Sequence, residues 1–197
     1  MMTWLPVVLI VTALAILACA VIQAKRPVHP VIAALRAAGV RPNEAVSQLC
    51  ARPAWQRCDT LMTLREQHFF RALLKNIDTR QWYLCPQVRV ADIVRLGGHI
   101  RPQSRAWWQL FRMASQWHCD VVIIDKNTFG IIAAVELDDA SHLQVRRVRR
   151  DILLAEVLRQ AGIPLIRHHD SQILLKQINQ FLQGKTKGMK QAECADI

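Results

Sequence analysis

The chain of 197 residues has no internal repeat, no low-complexity block and no Cys-x-x-Cys pair. Its length excludes two large domains and fits one ordinary domain with an accessory segment. Of the six cysteines, Cys50 and Cys58 are the nearest neighbours, and the seven residues between them exceed the spacing of zinc knuckles. We therefore expect reduced thiols in a cytoplasmic body rather than a zinc site.

Acidic residues are scarce, since 15 Asp and Glu stand against 26 Lys and Arg, which gives a formal net charge of +11. None of these charges lies between Trp4 and Ala24, so the whole excess belongs to the remainder of the chain. A basic body favours a polyanionic partner, and we expect nucleic acid. Anionic lipid headgroups beside a membrane remain an alternative partner for the same charge.

The segment from Trp4 to Ala24 contains no charged residue and is long enough, as a helix, to cross the hydrocarbon core of a bilayer. Lys25 and Arg26 follow this segment, whereas a cleaved signal peptide carries its basic residues before the apolar run. We therefore predict an uncleaved anchor over residues 1–26. The positive flank places the C-terminal body in the cytoplasm, at a bacterial-type inner (plasma) membrane crossed once.

Residues 27–60 mix prolines, arginines and short apolar stretches, which is typical of a linker with one or two short helices. The compact domain is predicted over residues 61–182. It opens with a helix from about Leu64 to Ile77, because Thr63 and Glu66 have the spacing of a capping box. The basic residues 183–197 are predicted to be a disordered tail.

Three further elements follow the first helix of the domain. Trp82 to Val90 is predicted as a strand, which Pro86 confines to an edge or a bulge. Arg105 to Trp117 is predicted as a helix whose stripe of Trp107, Phe111 and Ala114 packs in the core. Trp108 and Trp117 have an alternative role, in which they stack on bases.

Two apolar strands, Asp120 to Asp125 and Ile131 to Leu137, are separated by a short connection with the composition of a hairpin turn. After them the sequence predicts a helix from about Gln144 to Gln160, a strand from Pro164 to Arg167 and a helix from Ser171 to Leu182. The expected fold is therefore α/β, with helices around a sheet that contains this hairpin.

Folding the hairpin about its turn sets Asp120 opposite Glu136, because residues whose numbers sum to about 256 then face one another. Two carboxylates facing each other on apolar strands destabilise a sheet unless a cation lies between them. Mg²⁺ or Mn²⁺ suits such oxygen ligands. Strand alternation puts Asp138 on the same side as Glu136, whereas Asp125 is predicted to be a turn residue.

This pattern of an aspartate, a hairpin and Glu-x-Asp resembles the PD-(D/E)XK nuclease superfamily, in which an acid-x-lysine triplet occupies the second strand. Asp138 replaces the lysine here. The same departure occurs in branches similar to the very-short-patch repair endonucleases, where a histidine follows shortly, as His142 does in this sequence. The resemblance implies a restriction-endonuclease-like mixed sheet flanked by helices.

The chain most resembles the family known as domain of unknown function 2726, over residues 61–182. The matching runs are Leu64-Arg-Glu-Gln-His-Phe-Phe70, Pro86-Gln-Val-Arg-Val-Ala-Asp92, Val135-Glu-Leu-Asp-Asp-Ala-Ser-His142, Arg150-Asp151 and Gly162-Ile-Pro-Leu-Ile-Arg167. The family has no settled substrate, so the resemblance implies a fold more directly than an activity.

The resemblance implies a metal ion held by Asp120, Glu136 and the backbone carbonyl of Leu137. His142 or Asp138 would then orient the attacking water or accept its proton. The missing lysine leaves the transition-state charge to an arginine. The candidates, which are also the predicted nucleic-acid contacts, are Arg146, Arg147, Arg149 and Arg150.

Simpler roles exist for several of these residues. Glu66 is expected to serve its capping box rather than a metal site, and His142 has the alternative of capping the helix that follows it. The function expected from the sequence is a membrane-anchored nuclease that hydrolyses the phosphodiester bonds of DNA. The alternative is an inactive module of nuclease fold that binds nucleic acid or a protein at the membrane.

Overall fold

The computed structural model describes residues 4–24, 28–138 and 145–195. The chain divides into two units, Met1–Asp59 and Thr60–Ile197. The first unit contains three helices, α1 (Leu5–Ala24), α2 (Pro30–Ala37) and α3 (Glu44–Ala51). Helix α3 begins after Asn43, whose side chain accepts a hydrogen bond from the N–H of Val46 at 3.0 Å. Helices α2 and α3 lie where the sequence predicted short helices.

Helix α1 occupies the segment for which the sequence predicted a membrane anchor. In the described part of the chain, no helix combines the length and the apolar character that crossing a membrane requires.

The second unit is built on a four-stranded sheet of order β1-β2-β3-β4. Its strands are β1 (Trp82–Arg89), β2 (His118–Asp125), β3 (Ile131–Leu137) and β4 (Leu165–His168). The first three strands are antiparallel, and β4 pairs parallel to β3. The predicted mixed α/β architecture is therefore confirmed, and β1 lies at an edge of the sheet, as Pro86 indicated.

Among the described residues, the helices that accompany this sheet are α4 (Leu64–Asn76), α5 (Val90–Ile93), α6 (Arg105–Ala114), α7 (Val145–Gln160) and α8 (Ser171–Ala195). Helix α4 starts with the predicted capping box, in which Thr63 and Glu66 bond reciprocally to each other's backbone N–H. Helix α7 closes at Gly162, whose φ of +70° suits glycine. The short helix α5 was not predicted from the sequence.

Alternate residues of the central strands enter two separate hydrophobic cores. Val121 and Val135 pack with Leu73 of α4 and Ile178 of α8 in the first core. Their sequence neighbours pack in the second, which includes Val122, Ala134, Leu154 and Leu158. Because side chains of a strand alternate between faces, the two cores place helices on both sides of the sheet.

The end of the chain corrects one prediction. Helix α8 continues beyond Leu182 to Ala195, whereas the sequence predicted a disordered tail over residues 183–197. Thr186 explains part of the extension, because its hydroxyl bonds to the carbonyl of Leu182 and to the side chain of Gln81, each at 3.0 Å. Gln81 precedes β1, so this contact fastens the helix extension to the domain.

Helix α6 corrects another prediction. Of the stripe expected in the core, Ala114 is buried and Trp107 is half-buried, but Phe111 is 38% exposed. Trp108 on the same helix is 45% exposed. The helix ends at Ala114 instead of Trp117, and Ala114 is its member of the second core. Its aromatic side chains therefore form a partly exposed surface.

The hairpin turn between β2 and β3 is organised by Asp125, which is only 4% exposed. One of its carboxylate oxygens accepts hydrogen bonds from the N–H groups of Asn127 and Thr128 and from the Thr128 hydroxyl, at 2.7–3.0 Å. These bonds lower the pKa of Asp125. The prediction that Asp125 is a turn residue is confirmed.

We expect Asp125→Ala to lower the free energy of unfolding by about 1–3 kcal/mol, because it removes the hydrogen bonds that the turn residues Asn127 and Thr128 donate to a carboxylate. Urea denaturation at neutral pH measures this loss. The matched control is Asp92→Ala, which removes an exposed aspartate paired with Arg89 and should cost no more than about 1 kcal/mol. Equal losses for both variants would contradict the assigned role of Asp125.

Candidate functional site

The candidate site lies where the β2–β3 ladder ends. Val121 pairs with Val135, which is the register predicted by the sum of 256, and this is the last pair of the ladder on that side. Asp120 then leaves regular pairing, and its carboxylate accepts the N–H of Leu137 at 2.7 Å. The Asp120 side chain of β2 thus accepts the N–H of β3 that a backbone carbonyl would accept in a regular ladder.

An irregularity in β1 accompanies this departure. Gln87 has a φ of +52°, an uncommon value for a residue other than glycine, and its neighbours Pro86 and Val88 pair with Val121 and Cys119. Val121 packs in the first core and Cys119 in the second. Asp120 therefore sits where β2 changes the face it presents, which the sequence pattern alone did not indicate.

Glu136 is the more deeply buried of the two carboxyl groups at the site. Its residue is 4% exposed, and its Oε1 atom has no hydrogen-bond partner in the described part of the chain. Its Oε2 atom lies 3.7 Å from an Nη atom of Arg150. Burial is the main cause that raises the pKa of Glu136 well above its ordinary value, and the charge of Asp120 adds to it. Arg150 opposes the rise.

Burial also raises the pKa of Asp120, although the N–H of Leu137 partly offsets this effect. The two carboxylates therefore repel each other in a region poor in solvent. Such a pair is relieved by a proton or by a cation. Asp120 and Glu136 are the two predicted acidic residues that the structure brings together.

Asp138 is engaged elsewhere. Its two oxygens accept hydrogen bonds from the guanidinium of Arg167 at 3.0 and 2.5 Å, and Arg167 also lies 3.4 Å from Asp151. Because β4 pairs parallel to β3, Arg167 stands beside Glu136 in register and reaches the end of β3. Asp138 is thus an ion-pair partner here. Across residues 4–24, 28–138 and 145–195, no group of three or more His, Cys, Asp or Glu residues is arranged to hold a metal ion.

The carbonyl of Leu137, predicted as a metal ligand, accepts a hydrogen bond of 3.4 Å from Arg65. The same guanidinium donates to the carbonyl of Asp138 at 2.8 Å and to that of His169. Arg65 lies in the first turn of α4 and therefore joins this helix to the ends of β3 and β4. Sequence reasoning missed this role, although Arg65 lies in the run Leu64-Arg-Glu-Gln-His-Phe-Phe70.

Glu66 combines its confirmed capping role with a position near the carboxylate pair. One of its oxygens accepts from the N–H of Thr63 at 2.8 Å and from the side chain of Gln87 at 3.4 Å. Its charge is one of the causes that raise the pKa of Asp120. The sequence predicted the capping box but gave no sign that Gln87 connects Glu66 to this end of the sheet.

The predicted arginines lie on α7, but only two have described side chains. Arg150 reaches both Glu136 and Asp151, the latter at 3.2 Å. Arg149 and Arg150 line a cavity of about 440 Å³ together with Met113, Trp117 and Leu153. His142 and the side chains of Arg146 and Arg147 lie outside the described residues.

Fold and site together define a mixed α/β domain in which the buried Glu136 and the half-buried Asp120 lie together beside Arg150. The chain belongs to the family described as "Protein of unknown function (DUF2726)", whose model matches residues 58–183. The resemblance to this family that the sequence predicted is therefore confirmed. No curated protein and no solved structure gives a significant match.

Glu136→Gln is expected to stabilise the metal-free protein at alkaline pH. A carboxyl group whose pKa is raised in the folded state favours folding while protonated, and that stability is lost as the pH rises from the unfolded pKa through the folded one. The variant has no such loss. Its advantage over wild type should grow by about 1–3 kcal/mol between pH 5 and pH 9, the usual cost of a buried unsatisfied group.

Chemical denaturation in EDTA across this pH range measures the difference. Glu156→Gln is the matched control, because Arg159 lowers the pKa of the half-exposed Glu156 and its removal should bring no alkaline advantage. A constant difference between wild type and Glu136→Gln at every pH would show that Glu136 is not a strained buried acid.

Proposed function

We propose that this protein is a membrane-anchored, metal-dependent nuclease that hydrolyses the phosphodiester bonds of DNA. The observation that carries the proposal is the buried Oε1 atom of Glu136, which has no partner among the described residues and lies in a carboxyl group beside Asp120. A native structure rarely leaves such an atom without a binding partner, and a cation is the partner that suits it.

The donor set fits Mg²⁺ or Mn²⁺. Carboxylate oxygens are the ligands that these ions prefer, and Mg²⁺ commonly takes only one or two of them because it keeps waters and substrate phosphates as the others. Asp120 and Glu136 would hold the ion, with the carbonyl of Leu137 as the further predicted ligand. A bound metal would polarise a phosphate oxygen and lower the pKa of a water molecule.

Backbone and side-chain groups of the protein orient the two carboxylates of this site. The N–H of Leu137 fixes the carboxylate of Asp120, and burial keeps Glu136 from solvent. Arg150 lies 3.7 Å from Glu136. It would supply the positive charge that the missing lysine no longer provides, and would stabilise the charge that develops on the phosphate. His142 remains the proposed proton acceptor on sequence grounds, because Asp138 is paired with Arg167.

The architecture supports a place in the PD-(D/E)XK superfamily. A mixed sheet flanked by helices, with the acidic pair at the end of an antiparallel hairpin, is what the resemblance implies. The basic balance of the chain supports a polyanionic substrate. Membrane attachment is the part of the proposal that rests on the uncharged segment from Trp4 to Ala24 and on Lys25 and Arg26 after it.

The second candidate is a module of nuclease fold that binds nucleic acid or a protein at the membrane without cutting. The bidentate pairing of Asp138 with Arg167 favours it, because the position that holds lysine in active superfamily members is here an acid already neutralised by an arginine. The two candidates share the fold and differ in whether the carboxylate pair supports hydrolysis.

Cleavage of plasmid and single-stranded DNA by the purified full chain, with Mg²⁺, Mn²⁺ or EDTA, tests the nuclease. We expect metal-dependent cutting, and a loss of about 100-fold or more for Asp120→Asn and Glu136→Gln, because both remove ligand charge. Glu156→Gln is the control and should cut as wild type does. Binding of DNA that weakens with salt, without any cutting, would establish the binding module instead.

Cell fractionation tests the anchor separately. The full chain should sediment with inner membranes and resist extraction by high salt, because an apolar helix is held by the hydrocarbon core rather than by charge. A chain that lacks residues 1–26 should be released. Recovery of the full chain in the soluble fraction would refute membrane attachment and leave the nuclease proposal unaffected.

A further inference from the structure

A groove lined by residues of α6, of α7 and of the segment after α6 lies beside the carboxylate pair. It is the cavity of about 440 Å³ described above, with Met113 and Trp117 on one side and Arg149, Arg150 and Leu153 on the other. Arg150 connects it to the site, because this guanidinium lies 3.7 Å from Glu136. Arg150 therefore lies both in the groove and beside Glu136, whereas Glu136 and Asp120 do not line the groove.

Trp117 is held firmly in this groove. Its carbonyl accepts the N–H of Val90 at 2.8 Å, and its N–H donates to the carbonyl of Ala114 at 3.1 Å. The half-buried ring packs against the second core. An aromatic side chain that is fixed beforehand loses little conformational entropy when a flat ligand stacks on it.

Two arginines give the lining of the groove its positive charge. Arg149 and Arg150 line it directly. The stretch of chain that carries α6, between Asp92 and Asp120, contains four arginines and no acidic residue: Arg95, Arg101, Arg105 and Arg112. A ligand that combines a flat apolar face with negative charge suits such a surface, and a nucleotide has both.

We infer that this groove binds single-stranded nucleic acid next to the bond that is cut, with an unpaired base stacked on Trp117 and a backbone phosphate on Arg149. This inference rests on the proposed function and narrows its substrate class. Bases in a duplex hide their faces in the stack, so only a single strand or an unpaired end offers a base to Trp117. The volume lies within the range of about 300–1,000 Å³ that is usual for small-ligand sites.

Fluorescence anisotropy with a labelled oligo(dT) and with a duplex of equal length tests the groove, using the full chain in EDTA so that no cutting occurs. Trp117→Leu should weaken oligo(dT) binding by about 5- to 150-fold, the loss expected from one stacked base, and leave duplex binding within a factor of two. Arg149→Gln should reduce the slope of log K against log salt by about 0.7, the value for one phosphate contact of a single strand.

Trp108→Leu is the matched control, because Trp108 is on α6 and 45% exposed but does not line the groove. It should bind oligo(dT) as wild type does. An equal loss with Trp108→Leu would place binding on the outer surface of α6 and overturn the inference. The same holds if Trp117→Leu weakens duplex and oligo(dT) binding alike, or changes neither.

The outcomes separate this inference from the proposed function. Wild type that cuts DNA while Trp117→Leu retains full oligo(dT) affinity would refute the groove and leave the nuclease standing. Wild type that never cuts, but binds oligo(dT) through Trp117, would establish the groove as a single-strand site and refute the nuclease. Photo-crosslinking to an iodouracil-substituted strand gives a direct readout, since the adduct should map to Trp117.

Discussion

The hydrogen bond from the N–H of Leu137 to the carboxylate of Asp120 holds the candidate site together. It joins β2 to β3 just beyond their last regular pair and keeps Asp120 beside the buried Glu136. Repulsion between the two carboxylates opposes this arrangement, and Arg150 compensates for only part of it. The two neighbouring carboxylates therefore lower the stability of the fold, and a ligand bound between them would remove this cost. Such local destabilisation is usual at functional sites.

Features set by nearby residues were predictable from the sequence. The β2–β3 hairpin and its register followed from two apolar runs and from the length and composition of the turn between them. Asp125 was predicted to be a turn residue from its place at the turn end, and its side chain bonds to N–H groups two and three positions on. The capping box of α4 also depends on residues three apart. In each case the contacts are local, so the pattern that predicts them lies within one short stretch of chain.

Features set by distant residues were not predictable. Arg167 pairs with Asp138, Arg65 donates a hydrogen bond to the carbonyl of Leu137, and Gln87 of β1 donates one to Glu66. The apolar periodicity of a sequence shows which face of a helix or strand a residue occupies, but not which side chain of another element contacts it. Likewise, the apolar stripe of α6 predicted burial, yet Phe111 is exposed. Amphipathic periodicity identifies the apolar face of a helix but does not show whether another element covers it.

Both outer strands of the sheet are poor templates for another chain. In β1, Pro86 has no N–H to donate, and the left-handed backbone of Gln87 interrupts the regular spacing of its neighbours. At the opposite edge, β4 has only four residues, Leu165–His168. Short or irregular edge strands discourage the fusion of sheets between molecules. The irregularity that helps to form the acidic site therefore also protects the protein against aggregation.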